Sequence, residues 1–366
     1  MAYELMKEDL VDLATGAALL GTGGGGDPLI GRLLVEQALA DGCRIRVLDP
    51  DELQQDTLVV ASAMMGAPTV VLEKIPTGLE SLTALRRLEE HLGRKADAII
   101  PMECGGLNSM IPLLVAARAD LPVVDADGMG RAFPELQMET FSVYGISASP
   151  LAIADERGHT AIVDTGADNQ RTEWYARALT IRMGGSAHIA EYPMTGEQVK
   201  RTAIPRTLQL ALTLGRTTRE AKRRHEDPFD ALVDALRHTP YEHGRVLFTG
   251  KVVDVVRRVS DGFTQGHALI EEFGGGTAGL RVEFRNENLL ATVDGRVVAI
   301  VPDLITLLDA DTAMPITTET LRYGMRVRVF GISTPPIMRT SAALEVFGPA
   351  AFGLTEPWQP LEEIMN

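Results

Sequence analysis

Apolar residues at the start of the chain recur at helical spacing on both sides of a glycine run. Residues 5–20 place their apolar side chains on one face of a predicted helix. The run 21–26, Gly-Thr-Gly-Gly-Gly-Gly, ends that helix. Asp27 and Pro28 have the composition of a helix start, and the same spacing then continues to Gly42. The chain is therefore predicted to open as helix, glycine loop and helix.

Short apolar runs rich in β-branched residues follow this opening. Helical stretches separate three of them, and this alternation predicts βαβ units around a largely parallel sheet. We expect strands at residues 45–48, 58–63, 98–101 and 122–125, and helices at residues 78–92 and 107–118. The pattern predicts an N-terminal α/β domain with a glycine-rich corner over residues 1–168.

The periodicity changes in the second half of the chain. We expect strands over residues 141–153 and 159–164 and a helix over 173–182, and we interpret residues 169–244 as a helical connector. From 245 to 366, apolar and polar residues alternate with period two between Gly or Asp turns. The predicted fold class is thus α/β, with a second, C-terminal β-rich domain.

Composition excludes several classes of protein. The 366 residues are 45% hydrophobic, enough for two or three ordinary cores. The 50 acidic and 35 basic residues give a net charge of -15, which repels nucleic acid and anionic membranes, so we expect neither as a partner. We find no transmembrane run and no signal-peptide pattern. With only two cysteines, Cys43 and Cys104, a cytoplasmic protein is expected.

The glycine run is the first candidate binding element. It formally matches Gly-x-Gly-x-x-Gly, but a dinucleotide fingerprint needs a strand before the glycines, and here a helix precedes them. The backbone N–H groups of Gly23, Gly24, Gly25 and Gly26, with Asp27 at the helix start, instead suit a carboxylate or carbonyl oxygen of a ligand. The alternative is a helix-to-helix corner that needs positive φ angles.

A second candidate is the segment PMECGGLNS, residues 101–109, which follows a predicted strand. Open α/β sheets generally bind ligands at that end of their strands. Glu103 is a carboxylate that needs a partner, a ligand or a raised pKa there. Asn108 is either a polar ligand or the cap of the next helix. Cys104 is either a nucleophile or an inert buried residue, since no sequence motif marks a base for it.

The next predicted strand leads into two more carboxylates. Asp125 and Asp127 lie two apart, so in an extended segment they share a face and could share a cation, a proton or Arg131. Together with Glu103 they suit Mg²⁺ or Mn²⁺, or an acid/base pair, and zinc would need a distant histidine. The alternative is a salt-bridged turn in which one Asp caps a helix. Glu135, in the same loop, is a candidate substrate ligand.

In the β-rich half, amide and carboxyl side chains stand at predicted strand ends: Asn286, Glu287, Asn288 and Asp303. Such residues more often close turns by hydrogen bonding to the backbone than bind ligands. We expect the turn-closing role for them.

Several segments together resemble one family over nearly the whole chain. They are LLGTGGGGDP (19–28), PMECGGLNS (101–109), DADGMGRAFPELQ (125–137), TAIVDTGAD (160–168), FRNENL (284–289), VPDLI (301–305) and EVFGPAAFG (345–353). In this order they resemble the S-methyl thiohydantoin desulfurase domain family, also called DUF917, which is named by analogy with hydantoinase and oxoprolinase relatives. The resemblance implies two domains and a reaction in which water replaces the S-methyl group of a thiohydantoin. Arg285 departs from the glutamine expected in that pattern.

These residues and the resemblance predict a hydrolase-like enzyme acting on a hydantoin or thiohydantoin-type cyclic amide. Its reaction needs an activated water and a proton for the leaving group. We expect Glu103 or Asp127 as general base and Asp125 as an orienting group or metal ligand. The glycine loop would anchor the substrate, and Asn108 and Arg131 would position it.

The expected partners are a small-molecule substrate and further copies of the chain in a homo-oligomer. The cofactor stays open, with a divalent metal as the candidate. Two other functions fit the same residues: a non-catalytic small-molecule-binding protein or subunit of a larger enzyme, and acyl transfer through Cys104. The enzymatic prediction depends on one expectation, that the loops around residues 23, 103 and 127 converge on a single polar cleft.

Overall fold

Two eight-stranded sheets form the framework of the protein. The computed structural model describes residues 2–66, 70, 74, 76–260, 263–274, 276 and 278–364, with the backbone alone at 259 and 260. The helices of this part are α1 (Asp9–Leu20), α2 (Leu29–Ala40), α3 (Glu80–Leu92), α4 (Ile111–Ala119), α5 (Thr140–Val143), α6 (Asn169–Arg182), α7 (Gly196–Thr202), α8 (Thr207–Arg224), α9 (Pro228–Leu236) and α10 (Ser341–Phe347).

The strands of the first sheet and of a small two-stranded ribbon are β1 (Tyr3–Glu4), β2 (Arg46–Leu48), β3 (Leu58–Gly66), β4 (Ala98–Pro101), β5 (Val123–Val124), β6 (Ala126–Asp127), β7 (Leu151–Ala154), β8 (Thr160–Val163), β9 (Ser186–Thr195) and β10 (Ile204–Pro205). Those of the second sheet are β11 (Gly244–Ser260), β12 (Phe263–Glu272), β13 (Gly279–Arg285), β14 (Glu287–Val293), β15 (Arg296–Ile300), β16 (Leu304–Asp309), β17 (Pro315–Ile316) and β18 (Arg326–Ile332).

The first sheet has a parallel centre and antiparallel edges. Its strand order is β1-β2-β5-β4-β3-β9-β7-β8, and β2, β5, β4 and β3 run parallel. Strand β9 joins β3 in the antiparallel sense, and β7 and β8 follow it. Apolar residues of α1, α3 and α4 cover one face in a large buried cluster. The predicted N-terminal α/β domain with a largely parallel sheet is confirmed.

Helices α1 and α8 pack with their backbones in close contact, which fixes where the glycine loop begins. A Cβ atom on Gly16 would overlap the carbonyl group of Ala211, and one on Gly215 would overlap that of Asp12. Glycine at these two positions therefore permits an approach that any side chain would prevent. Because α1 ends at Leu20, this packing fixes the point from which the following loop starts.

The second sheet is antiparallel throughout, in the order β15-β14-β13-β12-β11-β18-β16-β17. Its inner face buries alternating apolar side chains in a separate cluster. The C-terminal β-rich domain is thus confirmed. Among the helices of the described residues, none is long and apolar enough to span a membrane.

Two of the predicted elements differ from the structure. Residues 141–153 were expected to contain strand from their start, but α5 occupies 140–143 and β7 begins only at Leu151, because Gly145 turns the chain at a φ of +85°. The segment 169–244 is not helical throughout, since β9 lies within it and pairs with β3. Most of β9 is buried whichever way its side chains point, so its sequence lacks the alternation that marks a half-exposed strand.

Candidate active site

A ring-sized cavity lies where the two sheets meet. It is lined by the glycine loop, by the end of β3, by the segment that follows β4, by residues 133–136 and by the start of β14 in the second sheet. Its volume is about 130 Å³. An apolar protein cavity of about 150 Å³ holds benzene, so there is room for one five-membered ring. Apolar side chains contribute part of the wall, among them Met64, Met65, Met102 and Phe133.

Glu103 faces this cavity from the loop after β4 and is 3% exposed. Its Oε1 accepts a hydrogen bond of 2.7 Å from Asn108 Nδ2, while its Oε2 has no hydrogen-bond partner. Burial raises the pKa of Glu103 well above its usual range, and the amide of Asn108 opposes that rise. A proton on this carboxyl would therefore sit on Oε2, since Oε1 is already an acceptor.

Asn108 is fixed by the backbone of β3. Its Oδ1 accepts from the N–H of Met64 at 2.7 Å, and its Nδ2 donates to the carbonyl of the same residue at 3.0 Å. This two-point attachment leaves the amide one direction in which to hold Glu103. Asn108 lines the cavity, and its hydrogen bonds orient the carboxyl group rather than cap the following helix.

Glu287 approaches the same cavity from the second sheet, where it is the first residue of β14. It is 3% exposed, and its Oε2 has no hydrogen-bond partner. Burial raises the pKa of Glu287 to about 7, against the opposing charge of Arg131. The charge of Glu287 in turn contributes to the raised pKa of Glu103. Two buried carboxyls from different halves of the chain thus influence each other's ionisation across one cavity.

The glycine loop holds the second domain as well as lining the cavity. The N–H of Asn288 donates to the carbonyl of Thr22 at 2.8 Å, and that of Thr318 donates to the carbonyl of Gly23 at 2.7 Å. A Cβ atom on Gly24 would overlap Oε1 of Glu287, so the bare backbone makes room for that carboxyl. The loop therefore surrounds a side chain of the protein itself, and only Gly25 and Gly26 of the run line the cavity.

Asp125 and Asp127 do not face a common ligand. Asp125 Oδ1 accepts from the backbone N–H groups of Leu208 and Gln209 and so caps α8. Asp127 Oδ2 accepts from the N–H groups of Cys104, at 2.7 Å, and Gly130. Burial raises the pKa of Asp125 to about 6 and that of Asp127 to about 7. Asp127 thus supports the loop that carries Glu103, from behind the cavity wall.

Cys104 is completely buried beside Asp127. Burial raises the pKa of the Cys104 thiol well above its usual range, and the charge of Asp127 adds to this effect. A reactive cysteine needs the opposite setting, a partly exposed thiol whose pKa is lowered. Cys104 does not line the cavity, so its placement gives no support to acyl transfer.

Arg131 is among the largest side chains that are fully buried in the described part of the chain, and it ties the two domains together. Its guanidinium donates to Thr22 Oγ1 at 2.8 Å, and its other acceptors are the backbone carbonyls of Ala132, Asn288, Pro302 and Asp303. Burial lowers the pKa of Arg131 to about 10, so the group stays charged at neutral pH. The side chain makes no ion pair with Asp127 and lies outside the cavity lining.

The rim of the cavity carries further charges. Glu135 pairs with Arg285 at 3.1 Å, and Arg177 donates to Glu173 at 2.7 Å. Glu319, from the loop after β17, is half-buried and has an Oε1 without a hydrogen-bond partner. Arg285, the departure from the family pattern, therefore neutralises a carboxylate at the rim.

Models of one family match both halves of the chain. The model described as S-Me-THD-like, N-terminal domain, covers residues 8–165, and the model described as S-Me-THD-like, C-terminal domain, covers residues 167–361. The chain belongs to the S-Me-THD-like family.

One solved structure similar to this S-Me-THD-like protein is the crystal structure of a protein from Chromobacterium violaceum. The two chains share 25% sequence identity, and the match covers 98% of this chain and 100% of the other, with a TM-score of 0.83. A search of curated proteins gave no match. The family and the fold are therefore shown.

In this S-Me-THD-like protein, half of the predicted site residues line the cavity: Gly25, Gly26, Asp27, Glu103, Asn108 and Glu135. The others lie outside its lining: Gly23, Gly24, Cys104, Asp125, Asp127 and Arg131. The loops around residues 23 and 103 do converge, and the loop that contains Asp127 reaches the cavity through Phe133 and Glu135, while Asp127 itself lies behind the cavity wall. Among the described residues, no three His, Cys, Asp or Glu side chains are placed to hold a metal ion, so the expected carboxylate set does not converge.

The sequence pattern favours a turn-closing role for Glu287 and marks neither Glu319 nor Arg177 as a site residue. Asn286, with a φ of +60°, does close a turn, because its side chain accepts from the N–H of Thr264. Asn288 and Asp303 likewise bond to backbone groups. One signal in the sequence was available for Glu287: a carboxylate between two turn-forming asparagines, immediately before an apolar strand, enters a buried environment and needs a reason to be there.

Proposed function

We propose that this protein is a hydrolase that adds water to a small hydantoin or thiohydantoin-type ring, with Glu103 and Glu287 as its acid/base pair. The observation that carries the proposal is the pair itself: two buried carboxyls face one ring-sized cavity, and each has an oxygen without a partner. Family membership supports this class of substrate.

The two glutamates are suited to opposite roles at neutral pH. The pKa of Glu287 is about 7, so a large fraction of it is ionised and able to take a proton from water. Burial and the charge of Glu287 raise the pKa of Glu103 well above its usual range, which favours the protonated form of Glu103. Environments that separate the ionisation of two carboxyls in this way are typical of acid/base catalysis.

For a ring that carries an S-methyl group, the proposed steps balance as follows. Glu103 gives its proton to the ring nitrogen while Glu287 takes a proton from the water that bonds to the ring carbon. The C–S bond then breaks. Glu287 returns its proton to the sulfur, Glu103 regains one from the new hydroxyl group, and a carbonyl forms. One water is consumed, methanethiol leaves, and both carboxyls recover their starting states.

The test is turnover by the purified protein, with an S-methyl thiohydantoin as substrate and chromatography to detect the hydantoin. Glu103→Gln and Glu287→Gln should each lower kcat about 10²- to 10⁴-fold, the usual effect of losing an acid or base. The matched control is Glu345→Gln, which removes an exposed carboxylate of α10 and should keep full activity. Normal turnover by either cavity variant would contradict the proposal.

The main alternative is a non-catalytic binding protein, in which the same cavity holds a metabolite without changing it. A thermal-shift screen with the same rings separates the two functions. Stabilisation by a ring that yields no product would identify a binder, or a subunit that needs a partner.

We also propose that the protein is cytoplasmic and that it forms a homo-oligomer. Cys43 and Cys104 are both free thiols, which agrees with a cytoplasmic protein. Trp174, Tyr175 and Ile181 expose large apolar surfaces on α6, which suits a contact between copies in a homo-oligomer. Light scattering of Trp174→Glu against the parent chain tests this assembly, and an unchanged mass would reject α6 as the contact.

A further inference from the structure

The charges around the cavity are unbalanced. Of the acidic residues that line it, Glu135 is matched by Arg285, and the lining cation Arg177 is committed to Glu173. Apart from Asp27, whose Oδ1 accepts from the N–H of Leu29, three more carboxyls remain: Glu103, Glu287 and Glu319. In the described part of the chain none of these three forms an ion pair. The space between them is therefore a site of negative potential, only partly offset by Arg131 behind the wall.

Each of the three carboxyls also has an oxygen that accepts no hydrogen bond: Glu103 Oε2, Glu287 Oε2 and Glu319 Oε1. Buried polar atoms are normally satisfied, so three free acceptors around one cavity indicate an occupant that brings hydrogen-bond donors. Donors that carry positive charge make the stronger hydrogen bonds to carboxylates. An anionic substituent on the occupant would be repelled by the same groups.

A cyclic amidine meets these requirements, namely a five-membered ring whose N–C–N unit carries sulfur or nitrogen on its carbon. When protonated it is flat, carries N–H donors at both nitrogens, and spreads its positive charge as a guanidinium does. A methylthio group on that carbon would contact the thioether and aromatic side chains of Met64, Met102 and Phe133.

We propose that the cavity binds its substrate as a protonated ring, an amidinium that either arrives as a cation or forms when Glu103 gives its proton to the ring nitrogen, and that Glu103, Glu287 and Glu319 then hold it. The cavity would discriminate against neutral rings that cannot take up this proton and against rings that carry a carboxylate. This inference rests on the proposed function and names its substrate class. The carbon of a protonated N–C–N unit is the electrophile that water attacks in the proposed reaction. Hydrolysis turns it into a neutral urea-type carbonyl, so the product loses the charge for which the site is built, and product release is favoured.

The test compares two rings of the same size and shape by isothermal titration calorimetry at pH 8. The cation is 2-aminoimidazoline and its neutral counterpart is imidazolidin-2-one. We expect the cation to bind about tenfold more tightly or better, where tenfold corresponds to about 1.4 kcal/mol. Glu319→Gln should remove most of this preference while leaving the affinity for imidazolidin-2-one nearly unchanged. The control Glu345→Gln removes the same single negative charge from an exposed position and should retain the preference.

The outcomes separate this inference from the proposed function. Equal affinity for the two rings, or tighter binding of the neutral one, would overturn the inference even where the S-methyl thiohydantoin is turned over. A cation preference that persists in both Glu319→Gln and Glu287→Gln would also overturn it, because other residues would then recognise the positive charge of the ligand. A preference that depends on these residues, in a protein without turnover, would support the ligand class and contradict the hydrolase.

Discussion

Replacing Glu287 by glutamine should stabilise the protein at alkaline pH. The pKa of this carboxyl is about 7 in the folded chain, against an ordinary value of 4.5. Below pH 4.5 the carboxyl is protonated whether the chain is folded or unfolded, and it contributes nothing. As pH rises from 4.5 to 7, the unfolded chain ionises first and the folded state loses stability. Above pH 7 the loss is complete, at about 3 kcal/mol.

Glutamine keeps the shape and an acceptor oxygen but does not titrate. At pH 8, Glu287→Gln should therefore raise the free energy of unfolding by up to about 3 kcal/mol, and at pH 5.5 by about 1 kcal/mol. Calorimetric melting of both proteins at the two pH values measures this difference, with Glu345→Gln as the exposed control. The gain should accompany the loss of turnover, because a carboxyl buried for chemistry is held at the expense of stability. A variant that is less stable than the parent by the same amount at both pH values would refute the reasoning.

Three further predictions follow from the packing and burial of single residues. Gly106→Ala should lower the free energy of unfolding by more than about 2 kcal/mol, because φ is +61° there and the new Cβ would overlap the carbonyl of Gly25. Gly145→Ala, where φ is also positive but the space is open, should lower it by about 1 kcal/mol. Equal losses for the two variants in thermal melts would contradict this prediction. A thiol reagent should label Cys43 in the folded chain and Cys104 only after denaturation. If mass spectrometry found both cysteines rapidly labelled in the folded chain, the prediction would be wrong. Arg131→Lys should destabilise the chain by about 3 kcal/mol, because an ammonium cannot reach all the acceptors of the guanidinium; an unchanged melt would count against its role as a tie.

The fold was largely predictable because its periodicities are local. Helical spacing in α1 and α2, and alternation in the second sheet, follow from which side chains must be buried. Strand β9 was not predicted because its side chains are mostly buried on both faces, so apolar and polar residues do not alternate along it. Its place beside β3 is decided by tertiary packing, which no window of sequence contains.

The site was predictable on one side only. Glu103 and Asn108 follow a strand of the first sheet, where ligands are generally bound, and they do line the cavity. Glu287 lies far along the chain, and its role depends on how the second domain docks on the glycine loop. The glycine loop was expected to anchor a ligand. The sequence shows that its backbone N–H groups are accessible, but it does not show which oxygen lies against them. Here a carboxyl group of the protein occupies that space.

The contact between Gly24 and Glu287 limits how members of this family can exchange parts. One acid of the pair comes from each family domain, and the loop of the first half is shaped around the acid of the second. A chimera made from the halves of two distant members would carry both acids and would still misplace one of them wherever the loop of one parent did not fit the other. Recombination should therefore yield active offspring only between parents that match at both segments, which must be inherited as a unit.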